Sequence, residues 1–412
     1  MPRVRSNVAR LKRKKQVMKA ARGAFGARSK LWKAAKENVE RGWKYAYRDR
    51  KNKKRDFRKL WIVRINAGAH QHGMSYSVFM HGLKKAGIEV EVISEDDTGK
   101  PQIALSALEK LVTRDNVTGI VGPYSSSSAN PTVKAAEKNK VPILIPTAAK
   151  EELTRMNYKY VFRIASPANG LASAGLDATL ALGPAKKLAV VYENTDFGTS
   201  TAKTAKEYAA KHGLQLVADE AYSKGSPDYR STLTQVKSAE PDVVFMVSYV
   251  ADAILLIRQA RELALSPKAF IGGGAGFSQP QFVAERDISE GILASTHWTK
   301  DSGWPGAKEF AERYQKRFNV DPPYHSACAY ESLRIMAECA AKANNDREKT
   351  RACLREGKWD GIMGPVQFVD YDGFQNQNKH PVLVTQVQQG KVVTVYPKEN
   401  AVAKPVYPFK WK

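Results

Sequence analysis

The sequence predicts a strongly basic α-helical segment joined to a two-lobed α/β body of parallel sheets. Three observations predict it. Residues 1–90 hold 26 of the 66 Lys and Arg residues against 5 acids, a net charge of +21, whereas the other residues carry 40 basic and 36 acidic side chains. Within the basic part no proline occurs between Ser29 and Gly73, and Trp32, Ala35, Val39, Trp43 and Ala46 recur at helical spacing. From about residue 89, β-branched runs alternate with helical stretches of about 10–15 residues, the pattern of βαβ units.

The basic segment predicts a helix of about 40 residues, about 60 Å long. The stretch "YRDRKNKKRDFRK", residues 47–59, has eight Lys or Arg against two Asp. Such a run repels itself in water and orders when phosphates neutralise it. Trp32, Trp43, Tyr45, Tyr47, Phe57 and Trp61 interleave with the cations. Cations for phosphates and rings for exposed bases suit structured RNA.

The body reads as ordered βα units. "IEVEVISED", residues 88–96, alternates as a strand, and "PQIALSALEKLVTR" follows as a helix. "VTGIVGPYSSSSANPTVKAAEKN" reads strand, turn, helix. "VPILIPTAAKEELT" reads strand, loop, helix start. "KKLAVVYENTDFGTSTAKTAKEYAAKHG", "PDVVFMVSYVADAILLIRQAREL" and "KAFIGGGAGF" continue the series. In such sheets ligands bind at the carboxyl ends of the strands. There "GPYSSSS" sets Ser125 and Ser126 at a helix start, a seat for a carboxylate or a plain N-cap. "GGGAG", residues 272–276, lacks the Lys-Ser/Thr of a phosphate loop.

No nucleophile–base or acid–base pair has diagnostic spacing. The seven histidines are scattered, and His70 and His72 point to different helix faces. Catalysis, a metal and a cofactor are therefore not expected. Cys328, Cys339 and Cys353 form no CxxC pair. Cys339 and Cys353 could bridge consecutive helices, but free buried thiols are the expectation unless the chain is exported. The basic N-terminus has no apolar run behind it, so no secretory signal is expected. "VVFMVSYVADAILLI" is interrupted by Asp252 and reads as strand then helix, so no membrane span is expected.

"MPRVR", "GAFGARSKLW" and "YAYRDRKNKKRDFRKLWIVRINAGAHQHGMSYSVFMHGLKKAGIEV" closely resemble the bacterial large-subunit ribosomal protein L20 family. The resemblance covers residues 1–91. It implies a long N-terminal helix threaded into large-subunit ribosomal RNA, a small helical domain from about Phe57, and a role in subunit assembly. The final helices of the family's small domain are absent. The RNA-contacting residues it implies are Arg3, Arg5, Lys12, Arg13, Lys14, Lys15, Arg22, Arg28, Lys30, Arg48, Arg50, Lys51, Lys54, Arg55, Arg58, Trp61, Arg64, Asn66 and His70.

"SEDDTGKPQIALSALEKLV", "GIVGPYSSS", "YVFRIASP", "ENTDFGTSTA" and "KWDGIMGPVQFVDYDGFQNQNKHPVLVTQVQQGKVVTVYP" resemble the solute-binding proteins of branched-chain amino acid ABC transporters, the type I periplasmic binding fold. The resemblance covers residues 88–412. It implies two lobes closing on a small ligand, with domain 1–90 followed by 91–412. The first lobe is expected at about 91–167 and 296–363, the second at about 168–295 and 364–398. Ser126, with Ser125, matches the seat of the ligand carboxylate. Thr147 and Ala148 match the loop beside it, and Phe197 and Tyr249 the opposite aromatic wall. Ala149 stands where leucine binders often have threonine, and Gly274 where they have the glutamate that meets the ligand ammonium. The family's first strand, first ligand loop and first helix are missing before "EVEV", so Gly87–Val90 reads as a join between two incomplete modules.

The expected function is large-subunit ribosomal RNA binding and subunit assembly, in the cytoplasm on the ribosome. The fused body is then a passenger. The alternative is an ABC transporter substrate-binding protein for amino acids, amides or carboxylates, periplasmic, whose basic N-terminus is spurious. It would meet an ABC permease only if exported.

Overall fold

A computed structural model describes residues 8–49 and 90–411. The chain forms two compact units, Met1–Glu89 and Val90–Lys412.

In the first unit, helix Val8–Ala20 is followed by a turn, a short helix at Ala27–Lys30 and a helix over 32–49. Val17 and Ala21 bury against Ala35 and Val39, with Met18 and Trp32 half-buried beside them. Arg13 pairs with Glu40 at 3.2 Å across this hairpin. The apolar face was expected to continue through Trp43 and Ala46, but both are exposed. The first helix offers them nothing apolar: before Val17 it presents Arg10, Lys12, Arg13, Lys14 and Lys15, and Leu11 is itself exposed. The remainder of the expected long helix lies outside the described residues.

The second unit has two main sheets. Strands β1 (Ile120–Val121), β2 (Ile143–Ile145) and β3 (Val161–Arg163) run parallel, each followed by a helix or a helical turn. Strands β4 (Lys187–Glu193), β5 (Gln215–Tyr222), β6 (Val243–Val247), β7 (Ala269–Gly272) and β8 (Leu293–Thr296) form a second parallel set. After three helices come the hairpin β9 (Trp359–Gly361) with β10 (Gly364–Val366), then β11 (Phe368–Tyr371), β12 (Phe374–Asn378), β13 (Leu383–Gln388) and β14 (Lys391–Tyr396). The first sheet has the order β1-β2-β3-β12-β11, the second β14-β13-β8-β7-β6-β4-β5. The chain crosses between sheets after β3, after β8 and after β12, which makes three hinge strands.

The helices form where the expected amphipathic runs stand. Pro101–Thr113 starts on a proline and buries Ala104, Leu108 and Val112. Val243–Val247 is buried throughout, as a central parallel strand covered on both faces must be. "VVFMVSYVADAILLI" is indeed a strand followed by helix Val250–Glu262. No helix among the described residues is long and apolar enough to cross a membrane.

Three expectations are corrected. The lobe boundary at 364 is misplaced, because β11 and β12 pair into the first sheet, where β12 joins β3 through Gln377 and Arg163. Residues 90–97 form no strand, and Val92 and Ile93 are exposed. A slot of about 420 Å³, lined by Val92 and Ile93 together with Ile120 and Val121, lies between that segment and β1. Among the described residues the alternating pattern pairs with no strand, and β1 itself is two residues long. Finally, Cys339 and Cys353 are joined, with Cα atoms 5.5 Å apart, and the free thiol is the buried Cys328. Helix Tyr324–Lys342 brings Cys339 against helix Arg347–Glu356, an approach that spacing alone does not fix.

Candidate functional site

The cleft between the two sheets of the second unit gathers loops from the carboxyl ends of β1, β2, β4 and β6. Ser125 caps helix Ser126–Lys138, its Oγ accepting from the Ser128 N–H at 3.1 Å. Ser126 is buried, and its Oγ accepts from the Lys150 N–H at 3.2 Å. That leaves its hydroxyl hydrogen free to donate. Thr147 Oγ1 donates to the Tyr124 carbonyl at 3.5 Å. The loop 147–150 is held from below by Arg163. This guanidinium donates to the carbonyls of Ala148 (3.2 Å) and Lys150 (2.7 Å), to Thr154 Oγ1 (2.7 Å) and to Gln377 Oε1 (2.6 Å). Burial pushes its pKa down to about 10.

The opposite wall comes from the second sheet. Phe197 lies in the first turn of helix Asp196–Lys211, and Tyr249 is the N-cap of helix Val250–Glu262. Their ring centroids are 5.5 Å apart. Lys224 Nζ sits 4.6 Å from the Tyr249 ring centre, a cation–π contact. Glu193, wholly buried, accepts from the Tyr249 N–H at 3.2 Å and from Thr195 Oγ1 at 2.5 Å. Its carboxyl pKa is raised by burial.

The two walls touch. Lys150 Nζ reaches Asp196 Oδ1 at 2.7 Å, and the Glu151 N–H donates to Ser200 Oγ at 3.2 Å. The Tyr124 ring lies 5.6 Å from Tyr249 and 4.9 Å from His325. His325 Nε2 is 2.9 Å from Gln279 Nε2, so the ring nitrogen accepts and the neutral tautomer carries its proton on Nδ1. Burial pushes the His325 pKa down to about 4, which keeps it neutral.

Ser126, Lys150, Asp196 and Phe197 are thus joined by one chain of contacts, with Tyr249 beside Phe197 and with Ser125, Thr147 and Ala148 on the same loops as Ser126 and Lys150. Sequence reasoning did not single out Tyr124, Lys150, Glu193, Gln279 or His325. Tyr124 stands inside the quoted "GPYSSSS" and Glu193 inside "YENTDFG", so an aromatic or acid beside a strand end was the available signal. Gly274 is as expected a position without an acid. Its φ is +92°, and a Cβ there would stand 3.2 Å from Leu171.

In the first unit, Lys12, Arg13, Lys14, Lys15, Arg22, Arg28, Lys30 and Arg48 are all exposed. Arg13 is tied to Glu40 and Arg48 to Asp49. Arg3, Arg5, Arg50, Lys51, Lys54, Arg55, Arg58, Trp61, Arg64, Asn66 and His70 lie outside the described residues.

The family model "Periplasmic binding protein" matches residues 55–391, about four-fifths of the chain. This chain belongs to the periplasmic binding protein family. A second model, "Ribosomal protein L20", matches residues 3–94, so both claim residues 55–94. This periplasmic binding protein is 29% identical over 338 residues to the Leu/Ile/Val-binding protein homolog 7 of Brucella suis, covering 78% of this chain and 85% of the relative. It is similar to the branched-chain amino acid transporter substrate binding protein of Streptococcus pneumoniae, solved with isoleucine, at 25% identity and TM-score 0.67. That match covers 77% of this chain and 92% of the other. It also shares its fold with an R. palustris ABC transporter solute binding protein solved with benzoate, at 17% identity and TM-score 0.67, over 76% and 88% of the two chains. The chain therefore joins a ribosomal protein L20-like segment to a solute-binding body.

Proposed function

We propose that the body binds a small carboxylate with an apolar side chain and no α-ammonium, as an ABC transporter substrate-binding protein does. The observation that carries this reading is the pairing of a free Ser126 hydroxyl and helix N-terminus on one wall with Phe197 and Tyr249 on the other, while position 274 is glycine. The helix N-terminus and Ser126 hold the carboxylate. The apolar body stacks on Tyr249 and Phe197 in place of the Tyr124 ring. The fold itself serves both isoleucine and benzoate in its solved neighbours, so the choice rests on these lining residues.

Calorimetry with leucine and with its deaminated analogue, 4-methylpentanoate, tests the reading. The analogue is expected to bind more tightly, and Ser126→Ala to weaken it by about tenfold or more, the size of one hydrogen bond to a charge. Tighter binding of leucine would overturn it.

The Cys339–Cys353 bridge supports an oxidising compartment over a reducing one, and with it the solute-binding reading over the ribosomal one that the sequence put first. RNA binding by the basic segment remains a second reading. It is favoured by the match to ribosomal protein L20 and by the thirteen exposed cations of its described part. If six or more phosphates are contacted, affinity for structured RNA falls about a thousandfold between about 50 and 200 mM salt. A salt-insensitive interaction would remove that reading. Arg55→Ala, Arg58→Ala and Arg64→Ala together are expected to weaken it, and Lys349→Ala, Arg351→Ala and Arg355→Ala to leave it unchanged.

A further inference from the structure

A cavity of about 290 Å³ lies at the hinge, beside the crossing that follows β8. Its walls come from both lobes. Val283 belongs to the helix behind the second sheet, while Pro322 and Pro323 lead into helix Tyr324–Lys342, which packs on the first sheet. Trp298, from the crossing strand itself, also lines it and is buried. The volume suits a single ring or a short branched chain.

Its charged lining is three cations, Arg286, Lys300 and Lys391, and two carboxylates, Asp301 and Asp321, of which Lys300 and Asp321 pair at 3.5 Å. Arg286 and Lys391 form no ion pair among the described residues. Arg286 Nε lies 3.1 Å from where a Cβ on Gly390 would stand, which sets it against the turn before Lys391, whose Gly390 N–H donates to Glu290. Ser278, on the same wall, has a buried hydroxyl oxygen with no hydrogen-bond partner. A buried hydroxyl without a partner is costly and unusual. Arg286 and Lys391 outnumber the remaining carboxylate, Asp301, and together with the partnerless Ser278 hydroxyl and the apolar Val283, Trp298, Pro322 and Pro323 they match an anion carried on an apolar body.

We propose that this hinge cavity is a second binding site, for a small monocarboxylate whose charge meets Arg286 and Lys391 and whose apolar body rests on Trp298 and the two prolines. The site shares no lining residue with Ser126, Phe197 or Tyr249, although Tyr324 on its wall packs 4.2 Å from the His325 ring at the cleft.

Fluorine NMR of 4-fluorobenzoate with the full chain tests it. A saturable bound population is expected, and it persists in Ser126→Ala/Tyr249→Ala, which removes the cleft's contacts. Arg286→Glu/Lys391→Glu weakens that population by about tenfold or more. Both side chains are exposed, so this double variant keeps the fold. Ala284→Trp, which fills the cavity from the same wall, abolishes it by a different route. No bound population, a population lost with the cleft variant, or one indifferent to the charge reversal would each refute the site.

Discussion

Arg163 shows how one residue fixes the site. It is wholly buried, and every hydrogen bond it makes goes to a neutral acceptor, two of them carbonyls of the 147–150 loop. Its planar fork holds that loop, and so the N–H of Lys150, against Ser126. Two other buried side chains set a pH limit. His297 and His380 sit on separate hinge strands, His380 Nε2 donating to the His297 carbonyl at 2.6 Å, while both Nδ1 atoms lack partners. Burial pushes the His380 pKa down to about 4 and that of His297 well below its ordinary value. An unfolded histidine takes its proton near pH 6.5, whereas folded His380 does not until about pH 4. Stability is therefore full above about pH 6.5 and falls as pH drops through that window, by about 3 kcal/mol for His380 alone. Urea midpoints at pH 7 and pH 4.5 check this, and His380→Gln should flatten the difference. Equal midpoints in the unaltered chain would contradict it. Of the site residues, Ser126 was expected from its place at a strand end beside a helix start, and Phe197 and Tyr249 from the family resemblance alone. His325 and Gln279 were not, because one opens helix Tyr324–Lys342 and the other caps helix Pro280–Ala284, far along the chain from Tyr124.

At the scale of elements, the strands that sequence pattern found are those whose neighbours are also present. β4, β6 and β7 are apolar runs covered on both faces, and they pair in unbroken parallel registers. "EVEVIS" alternates just as well, yet residues 90–97 form no strand, because alternation reports a face and not a partner. The disulfide escaped for a similar reason, since helix packing decides it. Among the described residues β1 pairs only with β2, and the slot of about 420 Å³ lies on its other side. Edge backbone groups that meet water exchange readily. Amide exchange is thus expected to be fast over residues 90–98 and in β1, and slow in β4, β6 and β7. Proteases should cut within 88–167 before 185–275. Uniform protection across both sheets would show that the first sheet tolerates its short edge.

For the whole molecule, the change of character near residue 90 separates two compact units that also differ in charge. The composition made that division legible, and the two family matches name its parts, although the periplasmic binding model reaches back to residue 55. What matters is whether the body, carried in this chain, still closes on a solute. Lys150–Asp196, Glu151–Ser200 and Tyr124–Tyr249 all cross the cleft, so closure links both walls at once. A ligand that selects the closed state must protect both together. Amide exchange on the full chain, with and without saturating 4-methylpentanoate, measures this directly. The account predicts slower exchange on both walls, over residues 124–128 and 147–151 on one and 196–201 and 249–252 on the other, with residues 10–49 unchanged. Protection confined to one wall, or none at all, would contradict a closing solute-binding cleft.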